Sequence, residues 1–366
     1  MRLLGLAIDG RGLGHLSRVR LLARLIRELR PDTELRLATE SPAAWTLADE
    51  GVPVLKLPEA LHPAGSLLHA RSRGSLLREI LPFQLGGSSP DIVLIDHLVE
   101  RSLFEFFRGQ GCRIWVVLRR MRPEVMRALF REPAASLVDA WLVPHAAAEL
   151  PVMDLPRAWR PRCHHLGPLV RPLDEARAED LRQTCPHPRI LVSLGGGGAA
   201  EAPALARVGL EALERLRQTI PRLSARLVCG PLFPEPLPPA APGVEVVAHE
   251  PDLAEWMTAA DAVLTQAGYN SVEELLASGT PGVLLPLSSP GRDDQELRAR
   301  EVQARGRALV SPAEPAALAA ALESVLTGRG PARRPPSRTG SPRAREVLQS
   351  LLDARNPQRA GRSDPP

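Results

Sequence analysis

Apolar residues along this chain fall into short runs separated by stretches with helical spacing. LLGLAI (3–8) leads through a glycine turn into a segment whose Val19, Leu22, Ile26 and Leu29 share one face, which predicts a strand, a turn and a helix over about 16–29. ELRLAT (34–39), PVLKL (53–57), DIVLID (91–96), RIWVVL (113–118) and AWLVP (140–144) read as further strands. Strands alternating with helices imply a parallel sheet covered on both faces. From 155 to 188 proline and arginine dominate, predicting a linker with a short helix inside it. The alternation restarts at RILVSL (189–194), followed by a run of glycines, a helix over about 203–219, and strands at ARLVCG (225–230), VEVVAH (244–249), AVLTQ (262–266) and GVLLP (282–286). The two halves repeat one architecture, so the predicted fold class is α/β, with two Rossmann-like domains facing a cleft. The expected division is 1–165 for an N-terminal domain, 166–187 for the linker and 188–327 for a C-terminal domain. Residues 328–366 then hold a terminal helix near 341–354 that packs back across the domains, with mobile Pro/Arg-rich segments at 328–340 and 356–366.

Composition narrows the class. A length of 366 residues gives two domains room for their own cores. The 44% hydrophobic and 24% charged content excludes wholesale disorder and a membrane bundle. The N-terminal apolar segment reaches Asp9 and a glycine loop instead of a small-residue cleavage site, so it reads as a strand, not a signal peptide. Cys112, Cys163, Cys185 and Cys229 are far apart without a CxxC pair, which suggests neither a zinc site nor a disulfide framework and points to the cytoplasm. The net charge of +4 comes from arginines scattered along amphipathic helices without interleaved aromatics. This reads as a solvated basic surface with no nucleic-acid partner, with weak attraction to phosphates or an anionic membrane as the alternative.

The stretch TQAGYNSVEELLASGTPGVLLP (265–286) carries the first candidate chemistry. Asn270 followed by Glu273 fits a capping box, and Gly279 with Pro281 fits a helix stop, which predicts a helix over about 271–278 with its free amides toward the Gly268 turn. Such an N-terminus attracts phosphate oxygens, and Ser271 adds a hydroxyl. Glu274, one turn further in, would repel a diphosphate unless it is displaced far enough to accept hydrogen bonds from a sugar's vicinal hydroxyls. A nucleotide sugar satisfies both demands; the plainer reading is that the acidic pair merely favours the helix start. In SLGGGGAAE (193–201), Gly195, Gly196 and Gly197 suit a phosphate loop or a simple tight turn, without GxGxxG or a Walker lysine. In DDQELRA (293–299), Asp294 and Gln295 offer polar groups at the same sheet edge or a polar helix start. Asp293 and Asp294 are adjacent, not spaced as DxD, so no metal is expected.

In the N-terminal half, GRGLGHLSR (10–18) places Gly12 and Gly14 in an acceptor-side loop and His15 near a helix start, while Asp96 ends a strand at the same edge. A His–Asp pair suits deprotonation of a hydroxyl, because imidazole titrates near neutrality and the carboxylate orients it. The alternatives are a satisfied polar histidine, a plain strand-end aspartate, or His97 in place of His15. Residues 60–90 fit an acceptor-side loop whose leucines touch a lipid carrier, but fit an ordinary amphipathic helix better.

The order and spacing of these pieces resembles the GT-B nucleotide-sugar glycosyltransferases of the family 28 type, and more broadly the UDP-glycosyltransferases, over nearly the whole chain to about residue 327. The resemblance implies a diphosphate at Gly268 and Ser271, a ribose at Glu274, a donor sugar at Asp294 and Gln295, and a glycine loop at Gly195–Gly197. Gly167, Pro168, Val170 and Arg171 match the approach to the linker. Gly14 and His15 match a GHxxP-type loop that supplies the base in many members, some of which pair it with an aspartate after a later strand. There are departures: Arg18 stands where that loop has proline, Arg298 where a DQxxNA pattern has asparagine, and His249 and Glu250 replace apolar residues of the loop that frames the base. Uridine is therefore implied by the resemblance alone. The implied function is metal-independent, inverting transfer of a sugar from a nucleotide diphosphate, UDP above all, to an acceptor hydroxyl, with no cofactor. The acceptor, a small molecule, a glycan or a lipid-linked group of the cell envelope or of natural-product glycosylation, is not readable, and peripheral membrane contact stays open. A nucleotide-sugar hydrolase or epimerase, or a non-catalytic nucleotide- or partner-binding protein, are the alternatives.

Overall fold

The computed structural model describes residues 1–8, 13–57, 78–79, 81, 89–96, 99–287, 294–337 and 340–354. The chain divides into two compact units, one holding the elements up to Leu169 together with the helix that follows Ser341, the other running from Val170 to Gly340.

The first unit is built on a seven-stranded sheet of order β3-β2-β1-β4-β5-β6-β7. Its strands are β1 (Arg2–Ala7), β2 (Glu34–Thr39), β3 (Val54–Lys56), β4 (Ile92–Asp96), β5 (Arg113–Val117), β6 (Ala140–Val143) and β7 (Cys163–His165). Every ladder is parallel, with β1 beside β4 in the register Leu3↔Ile92. All five residues of β4 are buried, as expected of a central parallel strand covered on both faces. Helix α1 (Gly14–Leu29) turns Leu16, Val19, Leu22 and Ile26 into the core, the face its periodicity predicts. Helices α2 (Arg101–Gly109) and α3 (Pro123–Phe130) cover the sheet further along. Below them Trp141 stacks on Trp159 with ring centroids 4.2 Å apart.

The second unit has α4 (Glu175–Thr184) and a six-stranded sheet of order β10-β9-β8-β11-β12-β13. Its strands are β8 (Arg189–Ser193), β9 (Ser224–Val228), β10 (Val244–Val247), β11 (Ala262–Gln266), β12 (Gly282–Leu285) and β13 (Ala308–Val310), all in parallel ladders. Helices α5 (Ala202–Thr219), α6 (Leu253–Ala259), α7 (Tyr269–Ser278), α8 (Gln295–Ala304) and α9 (Pro315–Leu326) alternate with them. In both sheets the strand order reverses beside the first strand, between β1 and β4 and between β8 and β11. Ligands of open α/β sheets collect at the carboxyl ends of strands flanking such a reversal.

Several expectations change. The Pro/Arg-rich stretch from 155 contains β7, just ahead of the expected linker at 166–187; it pairs with β6 and extends the first sheet, and a three-residue CHH segment carries no readable alternation. β13 escapes the pattern for the same reason. Of the segment expected to be mobile, 333–337 is anchored: Arg334 and Ser337 donate backbone hydrogen bonds to Gly279 and Ala277, and Arg333 Nη1 donates to the Thr258 carbonyl at 3.1 Å. The terminal helix α10 (Pro342–Asp353) belongs to the first unit. The arginines are not all a solvated surface, since Arg18, Arg189 and Arg298 are 3%, 1% and 7% exposed. The expected acceptor-side stretch at 60–90, and residues 356–366, lie mostly or wholly outside the described residues.

Candidate active site

At the β8/β11 reversal, Gly268 follows β11 and is itself the N-cap of α7, in extended conformation with φ −64° and ψ 155°. The helix thus begins at Tyr269, two residues earlier than the capping box predicts. Asn270 lies inside the first turn and cannot act as the cap. A Cβ added at Gly268 would meet nothing within 4 Å. Among the described residues, neither backbone strain nor packing requires glycine there. The turn is braced from behind by Arg298, the residue that departs from the family pattern. Its buried guanidinium donates to the Ala267 carbonyl at 2.9 Å and lies 5.9 Å from the Tyr269 ring centroid.

Ser271 and Glu274 are both half-buried on the first turns of α7. Burial pushes the Glu274 carboxyl above the usual glutamate range; Arg171 opposes that shift and Glu255 adds to it. Arg171 in turn is held by Glu255 at 2.7 Å and by the Pro251 carbonyl at 2.8 Å. Opposite α7, the glycine loop follows β8. Gly195 and Gly197 have φ +68° and +77°, and a Cβ at Gly197 would stand 2.5 Å from the Cys229 carbonyl oxygen. Part of the glycine run is therefore a packing requirement. At the same edge two buried polar atoms, Ser193 Oγ and Gln266 Nε2, have no hydrogen-bond partner. Such orphans carry a desolvation cost that a polar ligand can offset.

The remaining donor-side candidates lie on neighbouring loops. His249 is half-buried after β10, beside Glu250, whose carboxylate is buried and paired with Arg226 at 2.7 Å. Asp294 caps α8 by accepting from Leu297 N at 3.0 Å, and the Gln295 Oε1 accepts from Leu287 N at 3.1 Å. Both side chains are thus already engaged with backbone amides of the protein.

In the first unit, His15 and Asp96 meet at the β1/β4 reversal. His15 Nδ1 lies 2.9 Å from Asp96 Oδ1, and the histidine side chain is 12% exposed against 0% for the aspartate. Arg18, absent from the sequence-predicted site, completes the group: its Nε donates to Asp96 Oδ2 at 2.6 Å and its Nη2 to Oδ1 at 3.2 Å. Burial alone would raise the Asp96 carboxyl, but Arg18 and His15 outweigh it and hold the group far below the usual carboxylate range. The signal that could have found Arg18 is its i+3 spacing from His15, which stacks the two on one helix face. Gly14 is the first residue of α1; Gly12, His97 and Asp293 lie outside the described residues.

Comparison with known proteins agrees with this architecture. The glycosyltransferase family 28 C-terminal domain matches residues 191–339. An uncharacterized glycosyltransferase of Methanosarcina acetivorans is 22% identical over 328 residues, 82% of this chain and 83% of that protein. The UDP-N-acetylglucosamine–N-acetylmuramyl-(pentapeptide) pyrophosphoryl-undecaprenol N-acetylglucosamine transferase of Symbiobacterium thermophilum is 33% identical over 153 residues, 40% of each chain. Among solved structures, a UDP-glucosyltransferase from Polygonum tinctorium superposes with a TM-score of 0.62 at 14% identity, covering 96% of this chain and 92% of that one. Residues 191–339 thus match the glycosyltransferase family 28 C-terminal domain, and the chain is a glycosyltransferase built on the GT-B fold.

Proposed function

We propose that the chain transfers a sugar from UDP to an acceptor hydroxyl, with inversion at the anomeric carbon and without a metal. The observation that carries the donor half is Glu274: a half-buried carboxyl with its pKa raised by burial, one turn into a helix capped by Gly268, where an added Cβ would meet no described residue within 4 Å. The diphosphate takes the α7 amides, Ser271 and Asn270 on one side and the Gly195–Gly197 loop on the other. The ribose hydroxyls donate to Glu274. Asp294 and Gln295 face the sugar, and His249 stands by the base. UDP is favoured because the relative from Symbiobacterium thermophilum is named for a UDP-sugar.

At the other group, His15 accepts the proton of the acceptor hydroxyl as that oxygen bonds to the anomeric carbon. The bond from that carbon to the diphosphate breaks in the same displacement, the proton resides on His15 and UDP leaves. Attack opposite the leaving group inverts the centre. The helix amides stabilise the charge on the departing diphosphate, which is the role a metal would otherwise fill. A lipid-linked acceptor would bring the protein to a membrane peripherally, since no described helix is long and apolar enough to cross one.

Thermal unfolding with UDP, GDP, dTDP and their sugars, on wild type and Glu274→Ala, tests the donor site. A ligand at one hundred times its Kd adds about 2.7 kcal/mol. UDP compounds are expected to stabilise wild type and to lose that effect in the variant. Stabilisation by none of them, or equal stabilisation of both proteins, rejects the site. UDP released from the best donor without acceptor, at the rate seen with one, would instead indicate hydrolysis.

A further inference from the structure

The helix that carries His15 carries a second functional side chain. Arg18 is buried at 3% exposure, and its guanidinium grips both oxygens of Asp96 while His15 Nδ1 shares Oδ1. Among the described residues, the ionic partners facing Asp96 are His15 and Arg18, both from α1. A carboxylate held by such a fork cannot rotate freely, because the guanidinium is planar and its donors are fixed in direction.

We infer that Arg18 is a positioning residue of the proton-accepting group, fixing Asp96 as an ionised acceptor so that His15 carries its proton on Nδ1 and presents an unprotonated Nε2 to the acceptor hydroxyl. This rests on the reading of His15 as the base. An ionised aspartate only accepts hydrogen bonds, so it selects the Nδ1–H tautomer; a protonated aspartate donates, and would turn the ring to the Nε2–H tautomer, which has no lone pair left for the substrate. Asp96 is wholly buried, and burial by itself pushes its carboxyl toward the protonated form. Arg18 opposes that tendency by donating to both carboxylate oxygens. The arginine stands where the GHxxP-type loop that this stretch resembles has proline, so this chain supports its base by a residue outside that pattern.

The test needs no substrate. Histidine side-chain 15N–1H spectra of the full chain, with the His15 signals assigned by their loss in His15→Gln, report the tautomer directly. Wild type is expected to show the Nδ1–H tautomer wherever the His15 ring is neutral. In Arg18→Met that pattern should give way to Nε2–H or a mixture, beginning at higher pH than in wild type; Arg18→Lys should restore most of it. Arg18→Gln, which keeps a donor without the charge, is expected to behave like Arg18→Met and serves if the latter does not fold. With the best UDP-sugar, kcat should fall about tenfold or more in Arg18→Met, within the ~10²–10⁴ that a general base supplies, while the donor KM stays within about twofold. The acid limb of the rate profile should move to higher pH. An unchanged tautomer and acid limb in a less stable Arg18→Met protein would make Arg18 a structural ion pair and overturn the inference. Full transfer by His15→Gln would instead reject the base, whatever the Arg18 variants do.

Discussion

Glu274 shows how a binding group sets function against stability. Burial is the leading influence on its carboxyl and raises its pKa in the folded chain, with Arg171 lowering and Glu255 raising it further. A carboxyl whose folded-state pKa lies above the unfolded one binds its proton more tightly in the folded state. Its contribution to stability is therefore full below the unfolded value, near ~4.3, and is lost as pH rises through the folded value. Glu274→Gln removes that dependence. The ligand-free variant should gain in melting temperature relative to wild type as pH is raised from about 4 to about 8. It should also lose UDP affinity by about tenfold or more, as for a hydrogen bond to a charged acceptor. A variant that tracks wild type at every pH would show that the carboxylate meets no desolvation cost in the free protein. His15, Asp96 and Glu274 were all legible as candidates, because each sits where a strand or glycine turn meets a helix, and such places can be found by periodicity. Arg18 and Arg298 were not. Periodicity assigns a residue to a helix face, but says nothing of which buried acceptor waits opposite, and an arginine in an arginine-rich chain reads as surface.

At the scale of elements, two glycine turns that look alike in sequence have different causes. Gly197 adopts φ +77° and its missing Cβ makes room for the Cys229 carbonyl, whereas Gly268 is extended and faces open space. Gly197→Ala should accordingly destabilise the fold by about 1–3 kcal/mol through backbone strain and the clash. Gly268→Val should leave the free protein within about 0.5 kcal/mol of wild type and abolish UDP stabilisation by filling the phosphate position. Melting curves of the two variants with and without UDP separate these outcomes, and normal UDP binding by Gly268→Val would remove the donor from this turn. Long apolar strands such as DIVLID and AVLTQ were read to within a residue because burial on both faces leaves an unbroken run. The edge strands β7 and β13 have three residues each, as does β3, which only the longer run PVLKL made legible. The capping box at Asn270 fails for a different reason. The local rule identifies a good cap, but the chain leaves β11 already turning, and Gly268 takes the cap one residue before the helix.

The whole chain does not run through its two units once. It passes from the first unit into the second near Val170 and returns at Ser341, so that α10 completes the unit that β1 begins. Ala344 and Leu348 of α10 are fully buried, Arg345 pairs with Glu28 of α1, and Arg113 of β5 donates to the Leu351 carbonyl at 3.1 Å. The terminal helix was legible from its spacing, but its attachment was not, because the pattern of one amphipathic face does not name the surface that covers it. The physical consequence is local: the energy of α10 belongs to the first unit, and the donor half should be indifferent to it. Leu348→Ala, which empties a fully buried leucine site, is expected to lower the stability of the first unit by about 2–5 kcal/mol. Hydrogen exchange should then quicken in α1, α10 and β5 and stay unchanged in β8 and β11, while UDP still protects α7 in the variant as in wild type. Uniform loss of protection across both sheets would mean that the units share one cooperative unfolding transition, and no change at all would mean that α10 adds nothing to the core it covers.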